Sequence, residues 1–179
     1  MADPKKIRLL ICDVDGVLTD GRIIFDSAGA EAKQFHVRDG SGLKYWLRAG
    51  RQAALLSGRQ SPVVARRAEE LGITLVEQGA KEKLPALERL LKAAGRRADE
   101  AAYVGDDLPD LPVFRVVGFR VAVADAAAEL RAAADYVTQA LGGQGAVREV
   151  VELLLKAQGQ WDGILKRYRA TGETGGERG

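Results

Sequence analysis

Short apolar runs alternate with helical patterns along most of the 179 residues of the chain. Between the runs, apolar residues recur every three or four positions, which is typical of the buried face of a helix. Five of the runs are β-rich and lie close to a glycine or a polar turn, so they predict strands. These are Ile7–Cys12, Gln52–Leu56, Ile73–Val76, Ala101–Val104 and Phe119–Val123. A strand followed by a helix, repeated about five times, predicts an α/β fold: a doubly wound (Rossmannoid), mostly parallel sheet with helices on both faces.

One segment directly after the first strand breaks this alternation. Gly21–Asp26 and Glu31–His36 are strand-like and flank Ser27–Ala30, a pattern that predicts a β-hairpin with a four-residue loop. The hairpin would project from the edge of the sheet at which ligands bind in such folds. Because a lone hairpin is marginally stable in water, its apolar Ile23, Phe25 and Phe35 predict that it packs on another surface, such as a second subunit.

The length and composition predict one domain. The length is close to the roughly 150 residues of a typical domain. Apolar residues make up 46% of the chain, which is enough for a core. We predict a single domain over residues 1–158, with the hairpin as a flap at about 21–36, and a flexible tail over residues 159–179, where the periodicity is lost. Thr171–Gly179 contains no apolar residue and is predicted to be disordered.

Composition excludes several classes of protein. The 27 basic and 25 acidic residues leave a net charge of +2, which argues against binding to nucleic acid through bulk positive charge. No apolar run approaches the ~20 residues that span a bilayer, and the short charged start of the chain predicts no secretory signal. The single cysteine, Cys12, excludes an intramolecular disulfide and a cysteine-rich metal site. We expect a soluble, cytoplasmic domain that binds neither nucleic acid nor membrane.

Acidic residues follow two of the predicted strands. Asp13 and Asp15 end the first strand in the sequence DVDG, and Asp106 and Asp107 end a later strand in the sequence YVGDD. In a parallel sheet both strand ends open onto the same crevice, so these carboxylates are expected to converge. Clustered carboxylates repel unless a cation neutralises them, and oxygen-only ligands favour a hard ion such as Mg²⁺. The alternative, that strand-end aspartates only cap helices, suits one aspartate better than two separate pairs.

Two further polar positions are candidates for a phosphate seat. Ser57, Gly58 and Arg59 end another strand and begin a predicted helix, where a hydroxyl and backbone N–H groups bind anions; the alternative is a serine that only caps the helix. Lys83 lies early in the next predicted helix and would supply a positive charge. Lys81 competes with it for this role, and a solvated surface lysine is the simpler interpretation of either.

In the order Asp-x-Asp, Ser, Lys, Asp-Asp, these motifs resemble those of the haloacid dehalogenase superfamily of Mg²⁺-dependent phosphohydrolases. The resemblance implies that Asp13 is the nucleophile and that Asp15 is the general acid and base. It also implies that Ser57 with its neighbour Gly58, and Lys83, hold the phosphoryl group. A carboxylate is a weak nucleophile, but a covalent aspartyl-phosphate divides a difficult reaction into two easier steps.

The same resemblance implies the metal ligands. Asp13, Asp106 and the backbone carbonyl of Asp15 would hold Mg²⁺, and Asp107 would steady the site. The ion and Lys83 would offset the charge on the phosphoryl oxygens, which is the main task in phosphoryl transfer.

Enzymes of this superfamily usually carry a separate cap domain, for which this chain has no room. A capless chain with a hairpin after the first motif is similar to a tetrameric branch that acts on sugar-acid phosphates. The stretches that match this branch are DVDGVLTDG (13–21), FHVRDGSGL (35–43), GDDLPDLPV (105–113) and GGQGAVREVVELLLKAQG (142–159). The resemblance implies a homotetramer in which hairpins of neighbouring subunits pair and help to close the active site. The glycine-rich end of the chain is either a cover for an adjacent site, as in relatives, or a frayed end.

The implied substrate is 3-deoxy-D-manno-octulosonate 8-phosphate (KDO 8-phosphate), in lipopolysaccharide biosynthesis. The alternative within the branch is a nine-carbon ester, a KDN or N-acylneuraminate 9-phosphate, whose phosphatases tend to carry Glu where this chain has Arg59. A guanidinium suits a carboxylate or phosphate, whereas Glu suits sugar hydroxyls. Arg59 therefore favours the eight-carbon substrate, which we predict to be bound with its help.

A signalling receiver domain is the alternative from a different class. Receivers also combine a doubly wound sheet, an acidic Mg²⁺ pocket, a hydroxyl residue and a lysine. Their adjacent acidic pair typically follows the first strand, and the phosphorylated aspartate follows the third. This chain has its spaced pair first and its adjacent pair late, an order that fits the phosphatase.

Overall fold

A computed structural model describes residues 2–170. The strands are β1 (Leu9–Cys12), β2 (Ile24–Phe25), β3 (Glu31–Ala32), β4 (Gln52–Leu56), β5 (Leu75–Glu77), β6 (Ala101–Gly105), β7 (Phe119–Ala122) and β8 (Tyr136–Val137). Six of them form one sheet in the order β5–β4–β1–β6–β7–β8, in which every neighbouring pair is parallel. The sheet confirms the predicted fold class. Strands β1 and β6 are completely buried, as expected of central strands that are covered on both faces.

The helices form two layers around the sheet. They are α1 (Val37–Arg48), α2 (Pro62–Leu71), α3 (Lys83–Ala94), α4 (Leu111–Phe114), α5 (Ala128–Ala133), α6 (Ala146–Ala157) and α7 (Trp161–Ala170). Helix α1 contacts α2 and α6, whereas α3 contacts α4, and α4 contacts α5. In the part of the chain that the structure describes, no helix has the length and apolar character needed to cross a membrane.

The order of the strands determines where a ligand can bind. From β1 the chain runs outward to β4 and β5, then returns past β1 to β6 and continues to β7 and β8. This reversal opens a crevice beside the carboxyl end of β1. Cys12, the last residue of β1, is in register with Leu55 of β4 and with Val104 of β6. The polar residues that follow these three strands therefore lie at one edge of the sheet.

The predicted hairpin is present but its strands are shorter than expected. Only Ile24–Phe25 and Glu31–Ala32 pair, as antiparallel strands β2 and β3. The connection has five residues instead of four, because the Asp26 carboxylate accepts hydrogen bonds from the backbone N–H groups of Ala28 and Ala30 and lengthens the turn. Phe25 is 60% exposed. Phe25, which precedes the turn of the hairpin, thus has little cover from the rest of the described chain.

Two local predictions were wrong. Ser57 does not begin a helix, because α2 starts at Pro62, with Ser61 as the residue before it. The flexible tail predicted from residue 159 was wrong over Trp161–Ala170, which form α7 and pack on α6. The helix is stabilised by aromatic contacts, since the Trp161 ring lies edge-on to that of Tyr45. The segment 171–179 lies outside the described residues, and the domain boundary at residue 158 stays a prediction.

Candidate active site

A cavity of about 370 Å³ lies at the carboxyl ends of β1, β4 and β6. Every residue that the sequence predicted for the site lines it, together with a few unpredicted ones. The lining residues are Asp13, Asp15, Ser57, Gly58, Arg59, Ala80, Lys81, Lys83, Asp106, Asp107, Pro109 and Asp110.

The loop after β1 is a tight turn that aims its two aspartates into the cavity. The Val14 carbonyl accepts hydrogen bonds from the N–H groups of three residues further along the loop. Gly16 has a φ of +93°, and a Cβ at this position would collide with the Asp106 carboxylate. Gly142 supports the loop from the other side, because a Cβ there would collide with the Gly16 carbonyl. The turn therefore depends on two glycines from distant parts of the chain.

Lys83, the first residue of α3, lies beside Asp13. Its Nζ is 3.0 Å from Asp13 Oδ2, and both residues are 7% exposed. Burial alone lowers the pKa of Lys83, but attraction to Asp13 and Asp110 outweighs it, so the pKa is raised and the ammonium group stays charged. Lys81 lines the same cavity but is exposed. Of the two competing lysines, Lys83 is thus the one in contact with Asp13.

Asp110 is a site residue that sequence reasoning missed. It is completely buried, and its Oδ1 accepts hydrogen bonds from Lys83 Nζ at 2.5 Å and from the Tyr103 hydroxyl at 2.6 Å. Its Oδ2 accepts from the backbone N–H groups of Asp106 at 3.0 Å and Asp107 at 3.3 Å. Asp110 therefore fixes both the lysine and the turn that presents Asp106. The available signal was a third acid four residues after Asp106 in GDDLPD, with a proline that favours a tight turn.

Three carboxylates in this cavity lie close enough to share a cation. Oxygens of Asp13, Asp106 and Asp110 all lie within 4.8 Å of one another. Asp110 already accepts four hydrogen bonds, so Asp13 and Asp106 are the two with ligand capacity left. Such an all-oxygen donor set is the one that Mg²⁺ prefers.

The pKa values of the two carboxyls show the need for a cation. Burial raises the pKa of Asp13 to about 6, although Lys83 lowers it. Burial, and to a smaller extent repulsion from Asp13 and Asp110, raises the pKa of Asp106 to about 8. Two carboxylates at this separation cannot both stay ionised near neutral pH without a compensating charge. The residues present therefore fit a Mg²⁺ ion.

Residues of the hairpin reach the other side of the cavity, which the sequence did not predict. Lys33 Nζ donates a hydrogen bond to Asp15 Oδ1 and lies 3.3 Å from Glu31 Oε1. Arg59 donates to the same Glu31 oxygen at 3.2 Å. The Ser57 hydroxyl is buried and accepts a hydrogen bond from the backbone N–H of Arg59 at 3.2 Å. Ser57 thus shapes the turn that leads into the cavity rather than the start of a helix.

The fold and the acidic site define a class of hydrolase, and comparison with known proteins agrees. A family model described as haloacid dehalogenase-like hydrolase matches residues 73–149. The chain is 45% identical to the 3-deoxy-D-manno-octulosonate 8-phosphate phosphatase KdsC of Haemophilus influenzae, over 94% of this chain and 97% of the relative. It is 50% identical to KdsC of Escherichia coli, over 90% of this chain and 86% of the relative.

A solved structure is also similar over most of the chain. The 3-deoxy-D-manno-octulosonate 8-phosphate phosphatase of Moraxella catarrhalis, in complex with magnesium, phosphate and KDO, superposes with a TM-score of 0.90. Its sequence is 47% identical, and the match covers 92% of this chain and 95% of the other. The chain belongs to the family of haloacid dehalogenase-like hydrolases that contains the 3-deoxy-D-manno-octulosonate 8-phosphate phosphatases. This membership confirms the resemblance predicted from the motifs, whereas the roles of individual residues stay predictions.

Proposed function

We propose that the protein is a Mg²⁺-dependent phosphatase that hydrolyses KDO 8-phosphate to KDO and phosphate through an aspartyl-phosphate. The observation that carries the proposal is the buried contact of Lys83 with Asp13, beside the Asp106 carboxylate. One cavity therefore holds the proposed nucleophile Asp13, the ammonium group of Lys83 to bind a phosphoryl oxygen, and Asp106 as a metal ligand. Relatives that are 45% and 50% identical over nearly the whole chain carry the name of this phosphatase, which supports the substrate.

In the proposed first step, Asp13 attacks the phosphorus atom. A bond forms between a carboxylate oxygen and phosphorus while the bond from phosphorus to the sugar oxygen breaks. Asp15 gives its proton to the departing oxygen, so the sugar leaves as a neutral alcohol. In the second step Asp15 takes a proton from water, the water oxygen bonds to phosphorus, and the bond to Asp13 breaks, which releases phosphate.

The surrounding residues would stabilise the charge of the phosphoryl group. Lys83 and the turn at Ser57 and Gly58 would bind its oxygens. Asp13, Asp106 and the backbone carbonyl of Asp15 would hold Mg²⁺, which supplies neutralisation of phosphoryl charge when bound. Asp107, the predicted supporting residue, lies exposed at the cavity, and its N–H donates to Asp110.

Arg59 supports the eight-carbon substrate. Its side chain is 43% exposed, and it lines both the acidic cavity and an adjoining groove beside the hairpin. A sugar acid whose phosphate lies against Lys83 would extend toward this groove. There the guanidinium would meet a carboxylate, which it binds better than a hydroxyl.

The first test is release of phosphate from KDO 8-phosphate and KDN 9-phosphate in the presence of Mg²⁺. We expect a strong preference for KDO 8-phosphate, and no turnover by Asp13→Asn or with EDTA. Asp162→Asn, a change of an exposed aspartate on α7, is the matched control and should keep full activity. Equal or reversed preference would refute the Arg59 argument alone. Turnover by folded Asp13→Asn would refute the aspartyl-phosphate.

We also propose a homotetramer assembled through the hairpin, in the cytoplasm, where lipopolysaccharide biosynthesis would use the KDO. The support is the exposed apolar surface of the hairpin, on which Ile23 is 53% and Phe25 is 60% exposed. Light scattering coupled to gel filtration should give four times the mass of one chain, and Phe25→Glu should lower that mass. A monomeric wild type at micromolar concentration would contradict this assembly.

A further inference from the structure

Four charged side chains form a closed ring over one wall of the cavity. Asp15 accepts a hydrogen bond from Lys33, Lys33 also contacts Glu31, and Glu31 accepts from Arg59. The ring closes where Arg59 Nε lies 4.0 Å from Asp15 Oδ2. Basic and acidic side chains alternate around it. Two of the four residues belong to the hairpin, which is thereby tied to the loop that follows β1.

Lys33 is buried in a way that surface lysines are not. Its side chain is 1% exposed, and its ammonium group has one carboxylate on each side. A lysine side chain is rarely buried to this degree unless it is paired, and Asp15 and Glu31 are its two partners. Neither the aspartyl-phosphate chemistry nor the metal site described above uses this residue.

The two oxygens of Asp15 have different surroundings. Oδ1 accepts the hydrogen bond from Lys33, whereas Oδ2 is buried and has no hydrogen-bond partner among the described residues. Arg59 Nε, at 4.0 Å, is too far from Oδ2 to donate a hydrogen bond to it. An ammonium group on one oxygen leaves the other as the place for a proton, since ammonium has only donors.

We propose that Lys33 is a positioning residue that holds Asp15 by Oδ1, so that Oδ2 is the oxygen that gives and takes the proton. The inference rests on the proposed function in one respect, the role of Asp15 as acid and base. Lys33 transfers no proton itself in this proposal. Glu31 supports it from the other side, because the same carboxylate oxygen contacts both Lys33 and Arg59.

The test compares two leaving groups in the Lys33→Met variant, which removes the charge and keeps the length of the side chain. The sugar oxygen of KDO 8-phosphate needs a proton to leave, whereas p-nitrophenolate leaves as an anion. We compare kcat/KM, because it reports only steps up to the transfer of the phosphoryl group to Asp13. Misplacement of a catalytic group can cost about a hundredfold, so we expect kcat/KM for KDO 8-phosphate to fall roughly ten- to a hundredfold. For p-nitrophenyl phosphate it should fall less than about threefold.

Two further variants make the comparison specific. Asp15→Asn should show the same split between substrates, and adding Lys33→Met to it should cause no further loss, since the two residues act as one unit. Lys92→Met, which changes an exposed lysine on α3, is the matched control and should leave both substrates unaffected. A variant that folds only in part loses both activities in proportion, so incomplete folding cannot produce the split.

Each other outcome has a definite meaning. Equal loss for both substrates, or no loss for either, would overturn the positioning role of Lys33. If Asp15→Asn lacked the split, the acid role in the proposed function would fail instead. If the wild type cleaved p-nitrophenyl phosphate but not KDO 8-phosphate, only the substrate assignment would fail. β-Glycerophosphate, an alkyl ester with the same need for a proton, would then serve for the Lys33 comparison.

Discussion

The substitution Asp106→Asn should stabilise the metal-free protein while it abolishes activity. Asp106 shares its cavity with Asp13 and Asp110, and burial together with their repulsion raises its pKa from 3.8 to about 8. The folded state therefore binds a proton near neutral pH that the unfolded chain has released. Asn keeps the shape of the side chain and removes the charge that has to be neutralised.

The magnitude follows from the size of that pKa shift. One pKa unit corresponds to about 1.4 kcal/mol, so the shift sets an upper limit of several kcal/mol on the cost at pH 8. Asp106 is only half-buried and is coupled to Asp13, and solvent screens part of this cost. We therefore expect a gain of about 2 kcal/mol, which for a chain of this size raises Tm by roughly 4–8 °C.

The sign of the pH dependence makes this prediction specific. A carboxyl whose pKa is raised by folding costs nothing well below the unfolded pKa of 3.8, where both states are protonated, and its cost grows as the pH rises from there toward 8. Thermal unfolding in EDTA should therefore give a much smaller difference in Tm between Asp106→Asn and wild type near pH 4.5 than at pH 8. Added Mg²⁺ should raise the Tm of the wild type and not that of the variant. An Asn variant less stable than wild type at pH 8 in EDTA would refute the reasoning.

Three further substitutions test the surroundings of the site and the packing of α7. Tyr103→Phe removes a hydroxyl that accepts a hydrogen bond from Lys83 at 3.2 Å, and steady-state kinetics should show a kcat about tenfold lower. An unchanged kcat would contradict the role of this hydroxyl in positioning Lys83. Gly142→Ala would force a Cβ against the loop that follows β1. We expect a chain that is folded by circular dichroism and has more than about tenfold lower activity. Full activity would show that the loop can move to accommodate the Cβ. Trp161→Ala removes a ring that lies 5.3 Å from the Arg148 guanidinium. Urea unfolding should show a free energy of unfolding lower by about 2 kcal/mol, with phosphatase activity retained. Loss of activity would show that α7 contributes to the active site.

The parts of the site that could be predicted are those that depend on short stretches of chain. Asp13 and Asp106 each follow an apolar run directly, and parallel strands bring their carboxyl ends to one edge whatever the details of packing. Lys83 begins a helix whose apolar face is visible in the sequence. The order of these motifs along the chain is then enough to identify the family.

The residues that could not be predicted make contacts between distant or unremarkable positions. Tyr103 lies within a buried strand and resembles a core residue, and only the structure shows its hydroxyl against Asp110. Helix α7 was missed because Gly163 and several charged residues interrupt the pattern of Trp161 and Ile164. The two-residue strand β8 is too short to leave a pattern of alternation.

Lys33 is the clearest case, because its role depends on how the hairpin lies over the cavity, 18 residues away from Asp15 along the chain. Ion pairs alone hold a segment weakly, since the cost of desolvating the charges offsets most of their attraction. The pairs of Lys33 and Glu31 thus specify where the hairpin lies more than how firmly it is held. Firm placement needs burial of apolar area, and two apolar residues of the hairpin, Ile23 and Phe25, are more than half exposed in the described chain. In a tetramer joined by the hairpins, the neighbouring subunit would supply that burial, and the orientation of Asp15 would become a property of the assembly.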